Sequence, residues 1–165
     1  FDEMISFFAA GEVDVILLEM MSIPGRINLI YERLSSTQLP VWCGFSAKRT
    51  EKTAPLCSWH DSSVKFRENI ELTIDYNFGV LGIMHSSVDI IGESLRQIRR
   101  ISDRPLMAYP DSGYFKPPNW QFEEIIAPQE LIGHAESWIE QGVSVVGGCC
   151  GLGPEHTKEL SKLKS

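Results

Sequence analysis

A chain of 165 residues, 43% hydrophobic and 22% charged, is long enough for one domain with a sizeable core. Its net charge of −7, from 15 basic and 22 acidic residues, leaves no basic stripe to neutralise phosphates and argues against nucleic acid as a partner. No apolar run approaches the roughly 18–20 residues of a membrane span, and the acidic start FDEMISFF lacks the basic region of a signal peptide.

The chain begins at Phe1 rather than Met, which reads as a fragment or a processed product. A helix predicted over Asp2 to Ala10 stops at Gly11, and VDVILLE, Val13 to Glu19, follows as the first strand. The helix from Gly25 to Thr37 carries Ile27, Ile30, Tyr31 and Leu34 at helical spacing. VWCGFS, Val41 to Ser46, is the second strand, followed by a long connection from Ala47 to Asp61. Ser62 to Asn77 repeats the helical pattern with Val64, Phe66, Ile70 and Ile74 before VLGIM, Val80 to Met84, the third strand. A helix from Ser87 to Ser102 presents Ile90, Ile91, Leu95, Ile98 and Ile101, and its RQIRR end (Arg96 to Arg100) reads as a solvated face. PLMAY, Pro105 to Tyr109, is the fourth strand and Asp111 to Ala127 the second long connection. The helix from Pro128 to Gln141 opens on proline and stops before Gly142; VSVVGG, Val143 to Gly148, and a helix from Pro154 to Lys164 complete the chain. Nearly continuous apolar strands alternating with helices predict right-handed βαβ units and a parallel sheet, an α/β fold in a single domain.

Each strand ends in something unusual: Glu19, then Gly44-Phe45-Ser46, Met84-His85-Ser86, YPDSG from Tyr109 to Gly113, and the pair Cys149-Cys150. In parallel α/β folds this rim carries the chemistry, and long loops beside it are commonly functional. Neighbouring Cα atoms lie about 3.8 Å apart, short of the roughly 4.4–6.8 Å of a relaxed disulfide. The cysteine pair is therefore either two buried thiols or, where the backbone turns, two ligands converging on one soft metal ion. His85 emerges on the same rim directly after VLGIM. As a third ligand it completes a Cys-Cys-His set with an open position; otherwise it caps the next helix or sits in a loop. His60 lies in a loop within reach of the rim, whereas His134 and His156 fit polar helix faces. Cys43 reads as core and Cys57 as a spare loop thiol; without a secretory signal, the cysteines point to free or metal-bound thiols in a reducing compartment. Glu19, closing an apolar strand, is a costly buried carboxylate unless paired, either with a neighbouring loop or with a substrate ammonium. Trp59, Tyr114 and Trp120 form either a cation–π surface or loop packing.

GGCCG followed by PEH (Gly147 to His156), with LLEMMSIP, WCGFS and YPDSG, resembles the homocysteine S-methyltransferase family, which includes betaine- and S-methylmethionine-dependent enzymes. The resemblance covers essentially the whole chain. It implies a (βα)8 TIM barrel, of which the five strands here are the fourth to eighth. Residues 1–165 then form an N-terminally incomplete homocysteine-binding-type domain, the C-terminal part of the barrel. It also implies a cytoplasmic enzyme of methionine biosynthesis. Its zinc-dependent reaction moves a methyl group from a sulfonium or quaternary ammonium donor to the thiol of homocysteine, giving methionine. By that resemblance Cys149 and Cys150 are two of three thiolate ligands to Zn2+, and no catalytic residue stands beyond the metal site. Substrate contacts fall to Glu19, which takes the amino group, and to Phe45, Ser46, Met84 and Asp111. GIMH stands here in place of the family's GVNC, so His85 replaces the third cysteine and Met84 the asparagine. Exchanging one thiolate for neutral imidazole raises the net charge of the site from minus one to zero. A substrate thiolate would then be held more tightly and react more slowly. The competing reading is a non-catalytic barrel piece serving as a binding or interaction module. As a fragment, the chain would expose two open sheet edges, which favour self-association.

Overall fold

The structure is a computed structural model that describes residues 2–34 and 37–163. Helix α1 (Asp2–Ala10) leads into β1 (Ile16–Leu18), α2 (Pro24–Leu34) and β2 (Val41–Phe45). A short hairpin of β3 (Ala47–Lys48) and β4 (Cys57–Ser58) precedes α3 (Phe66–Glu71) and β5 (Val80–Ser87). Next come α4 (Val88–Arg99), β6 (Leu106–Asp111) and a second hairpin, β7 (Tyr114–Lys116) with β8 (Gln121–Glu123). Helix α5 (Pro128–Glu140), β9 (Val143–Val146) and α6 (Pro154–Leu160) follow, and a 3-10 turn, Ser161–Leu163, closes the described chain.

The main sheet runs β1-β2-β5-β6-β9 with every pair parallel. Spatial order follows chain order without reversal, so each crossover steps in the same direction. That is the winding of a βα barrel; a doubly wound sheet reverses at a switch point. Among the described residues no strand pairs with the outer sides of β1 and β9.

Register separates the two faces of the sheet. Cys43 aligns with Leu81 and Phe45 with Ile83, while Leu81 aligns with Leu106 and Ile83 with Ala108. This row packs against the apolar stripes of the helices, including Ile27 and Ile30 of α2, Ile91, Leu95 and Ile98 of α4, and Leu131, Ala135 and Trp138 of α5. Side chains alternate across a strand, so Gly44, Gly82, Met84, Met107 and Tyr109 share the opposite, inner face. There Met107 lies across Gly82, where a Cβ would stand 2.1 Å from the Met107 carbonyl oxygen.

Element types and order follow the sequence expectation, but several boundaries move. The first strand shrinks to three residues. The helix expected over Ser62 to Asn77 contracts to six residues. Asp61 Oδ1 accepts hydrogen bonds from the backbone and hydroxyl of Ser63, which holds a turn there, and Lys65 bridges to Cys57. After α3, the Arg104 guanidinium binds the carbonyls of Tyr76 and Phe78 and fixes the chain in a loop. Both long connections contain a hairpin. The expected ends of the second and last helices run into residues 35–36 and 164–165, outside those described.

Candidate metal centre

Strand β5 delivers His85 through a bulge: Met84 pairs with Tyr109 but Ser87 with Asp111, so three steps on β5 match two on β6. His85 has φ 41°, in the left-handed region that non-glycine residues rarely adopt. Its Nδ1 lies 3.7 Å from the Sγ of Cys149 and 3.7 Å from that of Cys150, and the sulfurs are 3.8 Å apart. A tetrahedral ion with bonds of about 2.3 Å to sulfur and about 2.0–2.1 Å to nitrogen sets ligand-to-ligand edges of roughly 3.8 and 3.6 Å. The triangle has these edges, so the donor set fits a soft metal ion. Histidine is longer than cysteine, and two features absorb the difference: the bulge, and use of Nδ1, the ring nitrogen nearer the backbone. Ser87 occupies the N-cap position of α4, so His85 is not a helix cap.

The cysteines sit in a loop that is tied down at several points. Gly147 N–H donates to Ala108 O and Cys149 N–H to Pro110 O, at 3.0 and 2.8 Å. Ser112 N–H donates to Cys150 O at 2.9 Å. Gly151 has φ 79°, and a Cβ there would fall 1.9 Å from Ser112 O, so this position requires glycine. His156 corrects the sequence expectation of a polar helix face: it is 4% exposed. Its Nδ1 accepts the Gly153 N–H at 3.1 Å and its Nε2 donates to Ile126 O at 2.8 Å. The histidine of GPEH thus locks the cysteine loop to the connection between β8 and α5.

Burial pushes the Cys149 thiol up to about 11; the Cys150 N–H opposes this, and the nearby charges of Cys150 and Asp111 add to it. The Asp111 carboxylate stands 3.8 Å from His85 Nδ1. Burial raises its pKa, and His85 works against that rise.

A family profile of homocysteine S-methyltransferase matches residues 1–163. The chain belongs to the homocysteine S-methyltransferase family. Homocysteine S-methyltransferase 2 of Arabidopsis thaliana is 23% identical over 163 residues, which make up 93% of this chain and 46% of the relative. Homocysteine S-methyltransferase 1 of the same plant is 26% identical over 156 residues, 88% of this chain and 45% of the relative. Among solved structures, the metallated form of the homocysteine methyltransferase MmuM from Escherichia coli matches with a TM-score of 0.72 at 20% identity. That match covers 97% of this chain and 48% of MmuM. The chain therefore spans about half the length of these relatives and shares the fold of that half, an arc of a parallel βα barrel.

The residues that the family resemblance marks for substrate do not all face the same way. Glu19 follows β1 and is exposed, which corrects its reading as a buried carboxylate: among the described residues β2 alone pairs with β1. Phe45 is fully buried edge-on to Phe66 of α3, 6.1 Å between centroids, so its side chain is turned to the helices and away from the inner face. Ser46 Oγ and Met20 N–H each donate to Met84 Sδ at 3.3 Å, so Met84 ties the ends of β1, β2 and β5 together.

Trp59, just past β4, lies 5.0 Å from the His85 ring, with the Lys48 ammonium 5.8 Å from its centroid. His60 hydrogen-bonds Ser22 Oγ at 2.6 Å instead of joining the triad. His134 stacks on Trp138, Cys43 is core, and Cys57 is buried with its thiol donating to Lys48 O. Tyr114 and Trp120 are exposed on the second hairpin, where Trp120 packs on Phe115 and Phe122. No helix among the described residues is long and apolar enough to cross a membrane.

Proposed function

We propose that residues 1–165 form the metal- and thiol-binding part of a homocysteine S-methyltransferase, with His85, Cys149 and Cys150 holding a zinc ion. The observation that carries this reading is the donor triangle, with edges of 3.7, 3.7 and 3.8 Å. Zinc bound there supplies an open position at which a substrate thiol ionises near neutral pH. Glu19 takes the amino group of homocysteine. Asp111, 3.8 Å from the same Nδ1, borders the site from β6, while Met84 and Met107 line the inner face with apolar surface that keeps water from the thiol. Trp59 offers its indole face to the positive charge of the methyl donor. In the reaction the methyl carbon bonds to the thiol sulfur, its bond to the onium atom breaks, and the thiol proton passes to solvent.

A second reading, a binding module without turnover, is favoured by one observation: GIMH puts His85 where the family pattern has its third cysteine. Incubation of the zinc-loaded chain with homocysteine and S-methylmethionine separates the two. Methionine is expected, formed faster by His85→Cys than by the natural chain because a third thiolate makes the bound substrate more nucleophilic. Homocysteine binding without methionine favours the binding module, and neither binding nor turnover overturns both.

A further inference from the structure

Tyr109 rises from the inner face of β6, and its ring crosses β5 to end over β2. A Cβ at Gly44 would lie 2.8 Å from Tyr109 Oη and 3.0 Å from Met84 Cγ, so the phenol rests in space that only a glycine leaves open. At the other end of the residue, a Cβ at Gly147 would meet Tyr109 Cβ at 3.3 Å. The hydroxyl is buried and makes no hydrogen bond of ordinary geometry among the described residues, although the Glu19 carboxylate is near enough to act on it as an acceptor. Folded proteins pair nearly all buried polar groups, because an unpaired one forfeits its hydration without return. A buried hydroxyl paired so loosely, on the face that carries a candidate site, marks a place for a ligand atom.

The neighbours of the hydroxyl indicate which atom. Burial raises its pKa most and the Glu19 charge next, with Cys149 also contributing, so it stays a neutral phenol that can both donate and accept. The Glu19 carboxylate beyond β1 and Cys149 beyond β9 thus both act on it, Glu19 by charge and as a hydrogen-bond acceptor. A carboxylate ligand would be repelled by Glu19, whereas an ammonium would be attracted. In homocysteine three carbons separate the thiol from the amine, and Tyr109 lies between the groups that would take each end.

We propose that Tyr109 Oη and the Glu19 carboxylate together receive the ammonium group of the thiol amino acid, which makes Tyr109 a positioning residue for the substrate. The ammonium donates to both oxygens, and the phenol O–H turns toward Glu19. This rests on the homocysteine reading above.

The test is calorimetric titration of the zinc-loaded protein with homocysteine and with mercaptobutanoate, the same molecule without its amino group. The natural chain should bind homocysteine more tightly, and Tyr109→Phe should weaken homocysteine binding roughly tenfold, as expected for a hydrogen bond to a charged group, while leaving mercaptobutanoate unchanged. Gly44→Ala, which displaces the hydroxyl without removing it, should act in the same direction. Zinc content and thermal midpoint, measured beside each titration, report whether a variant has kept its fold. If the natural chain prefers homocysteine and Tyr109→Phe keeps that preference, the assignment of Tyr109 is overturned while the function stands. If the natural chain binds neither thiol, the homocysteine reading falls and the assignment with it.

Discussion

At His85 one substitution and one backbone irregularity act together. A histidine in place of a thiol needs a displaced backbone, and β5 supplies it through the bulge between Met84 and Ser87 and the positive φ of His85. The substitution was legible in the sequence as GIMH; the bulge was not, because it depends on how β5 registers against β6. Glu19 shows the same limit, since its exposure depends on which strands lie beside β1, and among the described residues β2 alone does. At this scale Cys149 governs pH dependence. Its thiol, raised to about 11, is protonated at neutral pH and must release its proton to bind a metal. Apparent zinc affinity should therefore rise about tenfold per pH unit through the neutral range from this group alone. A chelator competition at several pH values measures it, and an affinity independent of pH would contradict the assignment. For the metal-free chain the sign is reversed. The unfolded thiol, near 9.0, ionises before the folded one, so this group lowers stability as pH climbs from 9.0 toward about 11.

The element that decides the site is the loop from Gly147 to His156. Its glycines and cysteines were conspicuous in the sequence, whereas the work of His156 was hidden, because its hydrogen-bond partner Ile126 lies 30 residues away. Both ring nitrogens are engaged, one within the loop and one across to Ile126. Removing the ring leaves the Gly153 N–H and the Ile126 carbonyl without their partner. His156→Ala should cost about 1–3 kcal/mol and also weaken zinc binding, because the loop that carries both cysteines loses its anchor. Thermal denaturation with parallel zinc titration checks this; an unchanged midpoint and unchanged affinity would show that the loop is held by its backbone contacts alone. Hairpins in the two long connections were not foreseen, since β3 and β4 are two residues each and carry no strand-length pattern.

Across the whole molecule, the αβ alternation made the parallel sheet legible, because both periodicities are strong and the apolar runs are short. Strand order required the structure. Among the described residues the sheet has its centre at β5 and no strand pairs with the outer sides of β1 and β9, and Leu17 in β1 is 39% exposed. Hydrogen exchange should accordingly be slowest in β5 and β6 and fastest in β1. Equal protection of β1 would mean that its edge is covered in solution, as self-association of the chain would do. The same sheet brings His85 to Cys149 across 64 residues of sequence, and the central claim is that this juxtaposition holds a metal. Zinc per chain, measured by elemental analysis on the natural chain and on His85→Ala, tests it most directly. One zinc per natural chain and little in the variant is the predicted result. Equal zinc in both, with the variant folded, would contradict it and leave the cysteine pair to bind without His85.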